Sequence, residues 1–465
     1  MGIISGNRPE WAIAAFASYG REAIFVPMYE AELTNIWEHI IKDSAIKVLF
    51  VSKPDIYEKV KDFPKKINSL EKIILIEGQG EQSMQELELI GRQHPVASVQ
   101  PSPYDIAVIL YTSGTTGDPK GVLLSHGNLT QCARSGYHIY PELNSSSRSL
   151  SVLPWAHSYG QTAELYNWFQ FGGSIGFMEN VDTLVKDLAL VKPAFLIAVP
   201  RIFNKVYNGL WAKMNEEGGI KKKLFFAAVK AAKQKRLLAE QGKSNALLNL
   251  KLALLDKLVF EKIRELFGGC LQGALTASAT MSPEIAHFFF DLGIPVYDCY
   301  GLTETSPAVT MNCSARYRLG SVGQPLERVK VVIDQSVVEE DANDGEIIVY
   351  GPNVMQGYHN KPDETKAVMT PEGGFRTGDR GRLDADGFLY VTGRIKEQYK
   401  LENGKYVFPA GIEEEIKLIP MIANAMIYGE GKPYNICLVY PDVGVLSRYA
   451  SKHSLPSDPE RLIGL

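Results

Sequence analysis

The sequence predicts an α/β protein. A large N-terminal domain of mixed and parallel sheets with helices carries a β-rich subdomain, and a small α+β C-terminal domain follows that reads as truncated. Three observations predict this. Short buried-strand runs alternate with helical spacing over the first hundred residues, short strands with frequent turns begin after Gly320, and the pattern changes again at Gly393-Arg394. The domains are therefore expected at 1–393, with the β-rich part from about 320, and at 394–465.

The elements follow in order. Ala23 to Pro27 and Lys47 to Val51 read as buried strands, and Leu33, Ile36, Trp37, Ile40 and Ile41 recur between them at helical spacing. Strand, helix, strand argues for a mostly parallel sheet. The chain opens directly in the strand-like Gly2-Ile3-Ile4. Ala107 to Leu110 and Ile294 to Tyr297 read as further apolar strands. Between Gly218 and Phe267 there is no proline, which predicts helix, with Leu247, Leu250, Leu254 and Leu258 in a helical stripe. Lys330 to Ile333, Glu346 to Tyr350 and Gly387 to Val391 predict short strands, with Asp344-Gly345 and Asp386-Gly387 as turns. After the boundary come a strand at Tyr406-Val407, a helix from Gly411 to Leu418 and a strand from Asn424 to Tyr428.

Composition narrows the function classes. The chain has 465 residues, 45% hydrophobic and 22% charged, which excludes disorder and fibrous repeats. Lys and Arg number 49 against 53 Asp and Glu, a net charge of -4, so no nucleic acid partner is implied. The five cysteines are scattered with no CxxC pair, suggesting neither a zinc site nor a disulfide framework. No apolar run approaches the ~18 residues of a membrane span. Arg8 and Glu10 interrupt any signal peptide, and Gly6 stands where a myristoylation pattern wants Ser or Thr. A cytoplasmic chain is expected. The Lys-rich segment Lys221 to Lys243, with Glu240 as its one acid, reads either as a solvated helix face or as a peripheral contact with anionic membrane.

The chemistry begins at Tyr111 to Gly121 (YTSGTTGDPKG). Thr112, Ser113, Thr115 and Thr116 supply hydroxyls. Gly114 and Gly117 let backbone N–H groups turn toward anionic oxygens, and Lys120 adds a positive charge, which together make a polyphosphate cradle. It is not a Walker A loop, since Pro119 stands at the second glycine position.

This run resembles the phosphate-loop signature of the adenylate-forming (AMP-binding) enzymes. The likeness continues through Tyr300 to Pro307 (YGLTETSP), Gly345 to Tyr358, Phe375 to Asp379 (FRTGD) and Gly393 to Glu397 (GRIKE). Within that family the chain is most similar to long-chain fatty acyl-CoA synthetases, through Asn7 to Trp11 (NRPEW), Asp256 to Phe260 and Leu401 to Pro409. The resemblance implies a two-step reaction with ATP, Mg²⁺ and CoA. A fatty acid carboxylate attacks the α-phosphorus, pyrophosphate leaves, and a thiol then takes the acyl group as AMP departs. Neither step needs a protein nucleophile, so catalysis rests on positioning and charge neutralisation.

The resemblance also implies residue roles. Glu304 would hold Mg²⁺, Thr303 would donate to the α-phosphate, and Tyr300 would stack on adenine. Asp379 would accept from the ribose hydroxyls, with Arg394 reaching ribose or phosphate. Lys396 falls at the position about which the C-terminal domain swings. His157 matches a position lining the acyl and adenine pockets, and reads equally as a core histidine. Gly404 and Tyr406 would flank the pantetheine tunnel.

Three departures stand out. Relatives carry about fifty more residues before the opening strand, and a catalytic lysine on a C-terminal loop that has no counterpart before Leu465. Ala277 and Ser278 replace paired glycines, adding bulk beside the pocket. The lysine departure leaves two alternatives open, a fragment of a longer enzyme or a degenerate protein that binds ATP or acyl-adenylate. A third reading passes the acyl group to a carrier-protein thiol.

Overall fold

A computed structural model of the chain describes residues 1–112, 118–277, 281–338, 342–403, 405–417, 419, 421–456 and 458, with backbone alone at 410 and 414. Its first sheet is parallel throughout. Strands β1 (Gly2–Ile4), β2 (Val26–Met28), β3 (Val48–Val51) and β4 (Lys72–Leu75) stand in the order β2-β1-β3-β4. Helices α1 (Pro9–Tyr19) and α2 (Thr34–Asp43) make the crossovers. The strand expected at Ala23 begins only at Val26, because Phe25 turns away to bridge Val108 of a neighbouring sheet.

That neighbour is the antiparallel hairpin of β5 (Ile106–Thr112) and β6 (Lys120–Ser125), in which Thr112 lies opposite Lys120. Thr112 and Lys120 are thereby held side by side at the end of the hairpin. Helix α3 (His126–Ile139) follows at once. Ser125 caps it, accepting from the N–H of Asn128 while the Asn128 side chain accepts from the Ser125 N–H.

The large sheet has seven strands: β7 (Arg148–Ser151), β8 (Ser174–Phe177), β9 (Phe195–Ala198), β10 (Gly273–Thr276), β11 (Val296–Tyr300), β12 (Thr310–Met311) and β13 (Gln324–Pro325). From β8 through β11 they are parallel, and the last two turn antiparallel. Strand β11 starts two residues later than the apolar run Ile294 to Tyr297 and extends through Asp298 and Cys299 to Tyr300. Its polar end is thereby brought to the site. The proline-free stretch is helical as expected, in α4 (Gly219–Glu240), α5 (Ala246–Leu255) and the turns Asp256–Phe260 and Glu261–Leu266.

The β-rich part is an antiparallel sheet of β14 (Lys330–Asp334) and β15 (Gly345–Tyr350), joined by β17 (Phe375–Leu383) and β18 (Leu389–Arg394). Strand β16 (Gly357–Tyr358) leaves it to pair with β6, and helix α6 (Pro362–Val368) follows. After Arg394 come the pair β19 (Tyr399–Lys400) and β20 (Tyr406–Val407), a helix Pro409–Ile416, and the pair β21 (Ile422–Tyr428) and β22 (Ile436–Pro441). The helix starts two residues before the expected Gly411, with Pro409 in its first turn, and Leu418 lies outside the described residues. The fold is the expected mixed α/β arrangement, in which separate sheets meet around the loops that follow β5, β7 and β11.

Those sheets are held to each other by buried aromatic groups. Trp11 of α1 is fully buried, with its ring edge-on to Phe25 at 5.0 Å and to Trp155 at 5.5 Å. Asn7 adds polar ties, donating to Leu153 O at 2.6 Å and accepting from the Trp155 N–H at 2.7 Å. Burying one such indole adds a few kcal/mol. Here that energy fixes the loop that carries His157.

Candidate active site

The strand ends and loops enclose a cavity of about 900 Å³. Thr112, Lys120, His157, Tyr300, Thr303, Glu304, Arg394 and Lys396 all line it. These residues are scattered over much of the sequence. Ser113, Gly114, Thr115, Thr116 and Gly117 lie outside the described residues, as do Ser278 and Gly404.

The turn after β11 is built around Gly301. A Cβ there would stand 1.6 Å from the Pro307 carbonyl oxygen, so the turn accepts no larger residue. Thr305 closes the same turn, its hydroxyl accepting from the Leu302 N–H at 2.9 Å. The result sets Thr303 and Glu304 on the cavity wall. Thr303 Oγ1 lies 3.2 Å from Ser158 Oγ, and Glu304 Oε1 accepts from the Tyr358 hydroxyl at 2.9 Å.

Tyr358 connects two charges. Lys120 Nζ sits over its ring, 5.6 Å from the centroid, and also pairs with Glu364 of α6. Glu364 in turn pairs with Lys361 at 3.0 Å, and Lys120 followed by Lys361 holds its carboxyl below the usual range. Arg376 reaches the cavity as well, anchored by Glu346 at 2.5 Å and Asp334 at 3.1 Å.

Asp379 is buried behind this wall rather than on it. Its Oδ2 accepts from the Tyr300 hydroxyl at 2.6 Å and its Oδ1 from Arg394 Nε at 2.9 Å. Burial pushes its carboxyl above the ordinary range, against the opposing effects of Tyr300 and Arg394. In this arrangement Asp379 positions Tyr300 and Arg394, and those two face the cavity.

A further part of the lining, the arm, comes from α3, the π-helix Tyr159–Tyr166 and the adjoining sheet: Cys132, Gly136, Tyr159, Ala163, Cys299 and Met311, with Thr162 and Asn167 as polar members. Burial pushes the Cys132 thiol up to about 12 and the Cys299 thiol higher still, so both stay protonated and act as small apolar groups. His157 sits where arm and wall meet. Burial lowers its pKa, and its Nδ1 accepts from the Tyr159 N–H at 3.1 Å. The ring is therefore neutral near pH 7, with its proton on Nε2, a donor and not a base. Ala277 lines the cavity too, as its extra bulk in the sequence suggested.

Sequence reasoning passed over Ser158, Tyr358, Glu364 and Arg376. Tyr358 and Arg376 stood inside segments that carried the family resemblance, which was the available signal. Glu364 had none, lying far along the chain from its partner Lys120.

The donor set suits a polyphosphate with a hard cation. Glu304 offers carboxylate oxygens to the same cavity as the positive and hydroxyl groups of Lys120, Thr112 and Thr303. Among the described residues no group of three or more His, Cys, Asp or Glu could hold a metal. A single carboxylate suffices for Mg²⁺, which takes its other ligands from phosphate oxygens and water.

Comparison with known proteins gives the family. A family profile described as "AMP-binding enzyme" matches residues 1–359. The long-chain-fatty-acid–CoA ligase FadD15 of Mycobacterium bovis is 32% identical over 463 residues, covering 97% of this chain and 74% of the relative. The human long-chain-fatty-acid–CoA ligase ACSBG1 is 31% identical over 452 residues, covering 93% of this chain and 62% of its own. Among solved structures, ATP-bound MatB from Rhodopseudomonas palustris superposes with a TM-score of 0.71 at 23% identity, covering 95% of this chain and 78% of that one. The long-chain-fatty-acid-CoA ligase FadD1 from Archaeoglobus fulgidus does so with 0.66 at 22% identity, covering 95% and 79%. The shared fold, the profile match and the sequence identity over nearly the whole chain make this protein a member of the AMP-binding family of adenylate-forming enzymes.

Proposed function

We propose that the protein is an ATP-dependent, AMP-forming fatty acyl-CoA synthetase. The observation that carries this reading is the shared cavity, in which a wall of cations and hydroxyls meets an arm of small apolar groups at Ser158, Thr303 and His157. A nucleotide triphosphate fits the wall and an alkyl chain fits the arm, so a carboxylate would lie at their junction.

In the first step an oxygen of the fatty acid carboxylate bonds to the α-phosphorus of ATP. The bond from that phosphorus to the bridging oxygen breaks, and pyrophosphate leaves with the electron pair. Lys120 and Thr112 hold the phosphates and Thr303 donates to the α-phosphate; Glu304 would hold Mg²⁺, which would supply neutralisation of phosphate charge. His157 Nε2–H donates to the acyl oxygen and keeps it in line. In the second step the CoA sulfur bonds to the acyl carbon, AMP leaves, and the thiol proton passes to solvent.

Tyr300 stacks on the base, and Arg394 reaches the ribose or phosphate. The assignment of Asp379 to the ribose hydroxyls requires it to give up one of its present partners. On this reading Lys396, which lines the cavity, serves as the pivot between a large domain 1–393 and a small domain 394–465, whose closure would separate the two half-reactions.

Single-turnover mass spectrometry tests the proposal. Mg-ATP and a panel of fatty acids are incubated with the protein, then split with and without CoA. Acyl-AMP that converts to acyl-CoA is the expected result. Acyl-AMP that CoA leaves untouched points to another thiol acceptor, and no acyl-AMP with any acid overturns the reading.

A further inference from the structure

Four leucines form an uncovered line on α5 and the turn after it. Leu247, Leu250, Leu254 and Leu258 are 81%, 64%, 62% and 52% exposed, while Leu248, Leu255 and Phe260 of the same helical run are buried against the body of the protein. Spacings of three, four and four residues put the exposed set on one side. Sequence periodicity alone reads such a stripe as core-facing, and here the core takes its neighbours instead.

The surroundings of the stripe are basic. Lys251, Lys257 and Lys262 flank the leucines and are exposed. Helix α4, which packs against α5, presents exposed Lys223, Lys230 and Lys233 together with the partly exposed rings and branches of Phe226 and Leu237. From Gly219 to Lys262 the only acids are Glu240, Asp256 and Glu261, and the first two pair with Arg236 and Arg264. This concentration of positive charge stands on a chain whose net charge is -4.

We infer that α4 and α5 together dock the protein on an anionic lipid surface, with the leucines entering the interface and the lysines holding headgroup phosphates. Charge complementarity favours this occupant. A second copy meeting through the same face would set lysine against lysine about a two-fold axis. Protein interfaces draw on Trp, Tyr and Arg and are depleted in Lys, whereas this face is made of Leu and Lys. An amphipathic helix with a lysine-rich polar side is the pattern of helices that lie in the headgroup region. No helix among the described residues is long and apolar enough to cross a membrane. The docking surface is independent of the proposed reaction, since none of its residues lines the cavity.

The test is flotation of the purified protein with two vesicle preparations, phosphatidylcholine alone and phosphatidylcholine with phosphatidylglycerol as the anionic lipid. The protein floats with the anionic vesicles, and high salt weakens the association. Replacing Leu250→Ser and Leu254→Ser together lowers the bound fraction about tenfold, and Lys230→Glu with Lys233→Glu lowers it as well. Thermal melting confirms that both variants fold, and ATP binding is unchanged in both. No flotation with anionic vesicles overturns the inference. So does flotation that the leucine replacements leave intact, or a dimer in sedimentation velocity that those same replacements dissolve.

Discussion

Two carboxylates, one on the cavity wall and one on the π-helix away from the cavity lining, are treated in opposite ways. On the polar wall, Glu364 has Lys120 and Lys361 as partners and is held below its ordinary pKa. Glu164 of the π-helix, which does not line the cavity, is fully buried with neutral donors, Ser149 at 2.9 Å, Ser151 at 2.5 Å and the Trp155 indole at 3.0 Å. Burial outweighs those three hydrogen bonds and raises its pKa to about 7. The wall keeps its charges ready for an ionic ligand. Behind the arm, burial leaves even a well-bonded carboxylate poorly ionised.

Removing a charge from the wall gives the largest effect that this contrast predicts. Glu304→Gln lowers kcat for adenylate formation by about 10²–10³-fold, the loss expected when one transition-state group is removed. Its melting temperature stays near that of the parent, because Glu304 is partly exposed and lies in no core cluster. Rapid-quench measurement of acyl-AMP together with a thermal melt checks both halves.

Next comes the pH dependence set by the buried Glu164. The folded pKa of Glu164 lies above its unfolded value, so its contribution to stability is fully present below pH 4.5 and is lost as the pH rises through about 7. The shift corresponds to about 3 kcal/mol over that window. Glu164→Gln removes this slope, so denaturant midpoints for the variant fall less between acid and neutral pH than those of the parent. Equal slopes would show that Glu164 ionises freely.

Filling the arm is the third effect. Ala163→Phe shortens the space between α3 and the π-helix and moves preference toward shorter acids, by about tenfold in the ratio of kcat/KM values. A panel of acids of rising length reads the change, while KM for ATP stays constant. The smallest effect belongs to Tyr358→Phe, which removes one hydrogen bond to Glu304 and raises the Mg²⁺ requirement about fivefold.

The wall was more legible in the sequence than the arm, for a physical reason. Groups that handle phosphate must be particular residue types at fixed spacing in tight turns, so Lys120, Thr303 and Glu304 stood in recognisable segments. An apolar arm needs only small side chains that converge in space, and Cys132, Ala163 and Met311 share no local pattern. The parallel part of the fold was visible from strand–helix–strand order and the β-rich part from short strands with turn residues. Element edges moved by two or three residues where tertiary partners intervened, as at Phe25 with Val108. Asp379 shows the limit on the wall itself. Its type and segment marked it as functional, but only coordinates reveal that Tyr300 and Arg394 already occupy its two oxygens. The leucine stripe is the converse case, since period alone gives the helix and not the face that packs.

The pairing of Lys120 with Glu364 also bears on the order in which the protein forms. The two residues are 244 positions apart, whereas the hairpin that presents Lys120 and the loop that presents His157 are assembled from the first part of the chain. During synthesis the arm can therefore take shape while the ribosome is still making the β-rich part, and the wall stays open until α6 has emerged. A nascent chain at that stage would offer a greasy cleft with no completed ionic side. In that interval the apolar lining of the cleft is uncovered, the condition under which aggregation competes with folding.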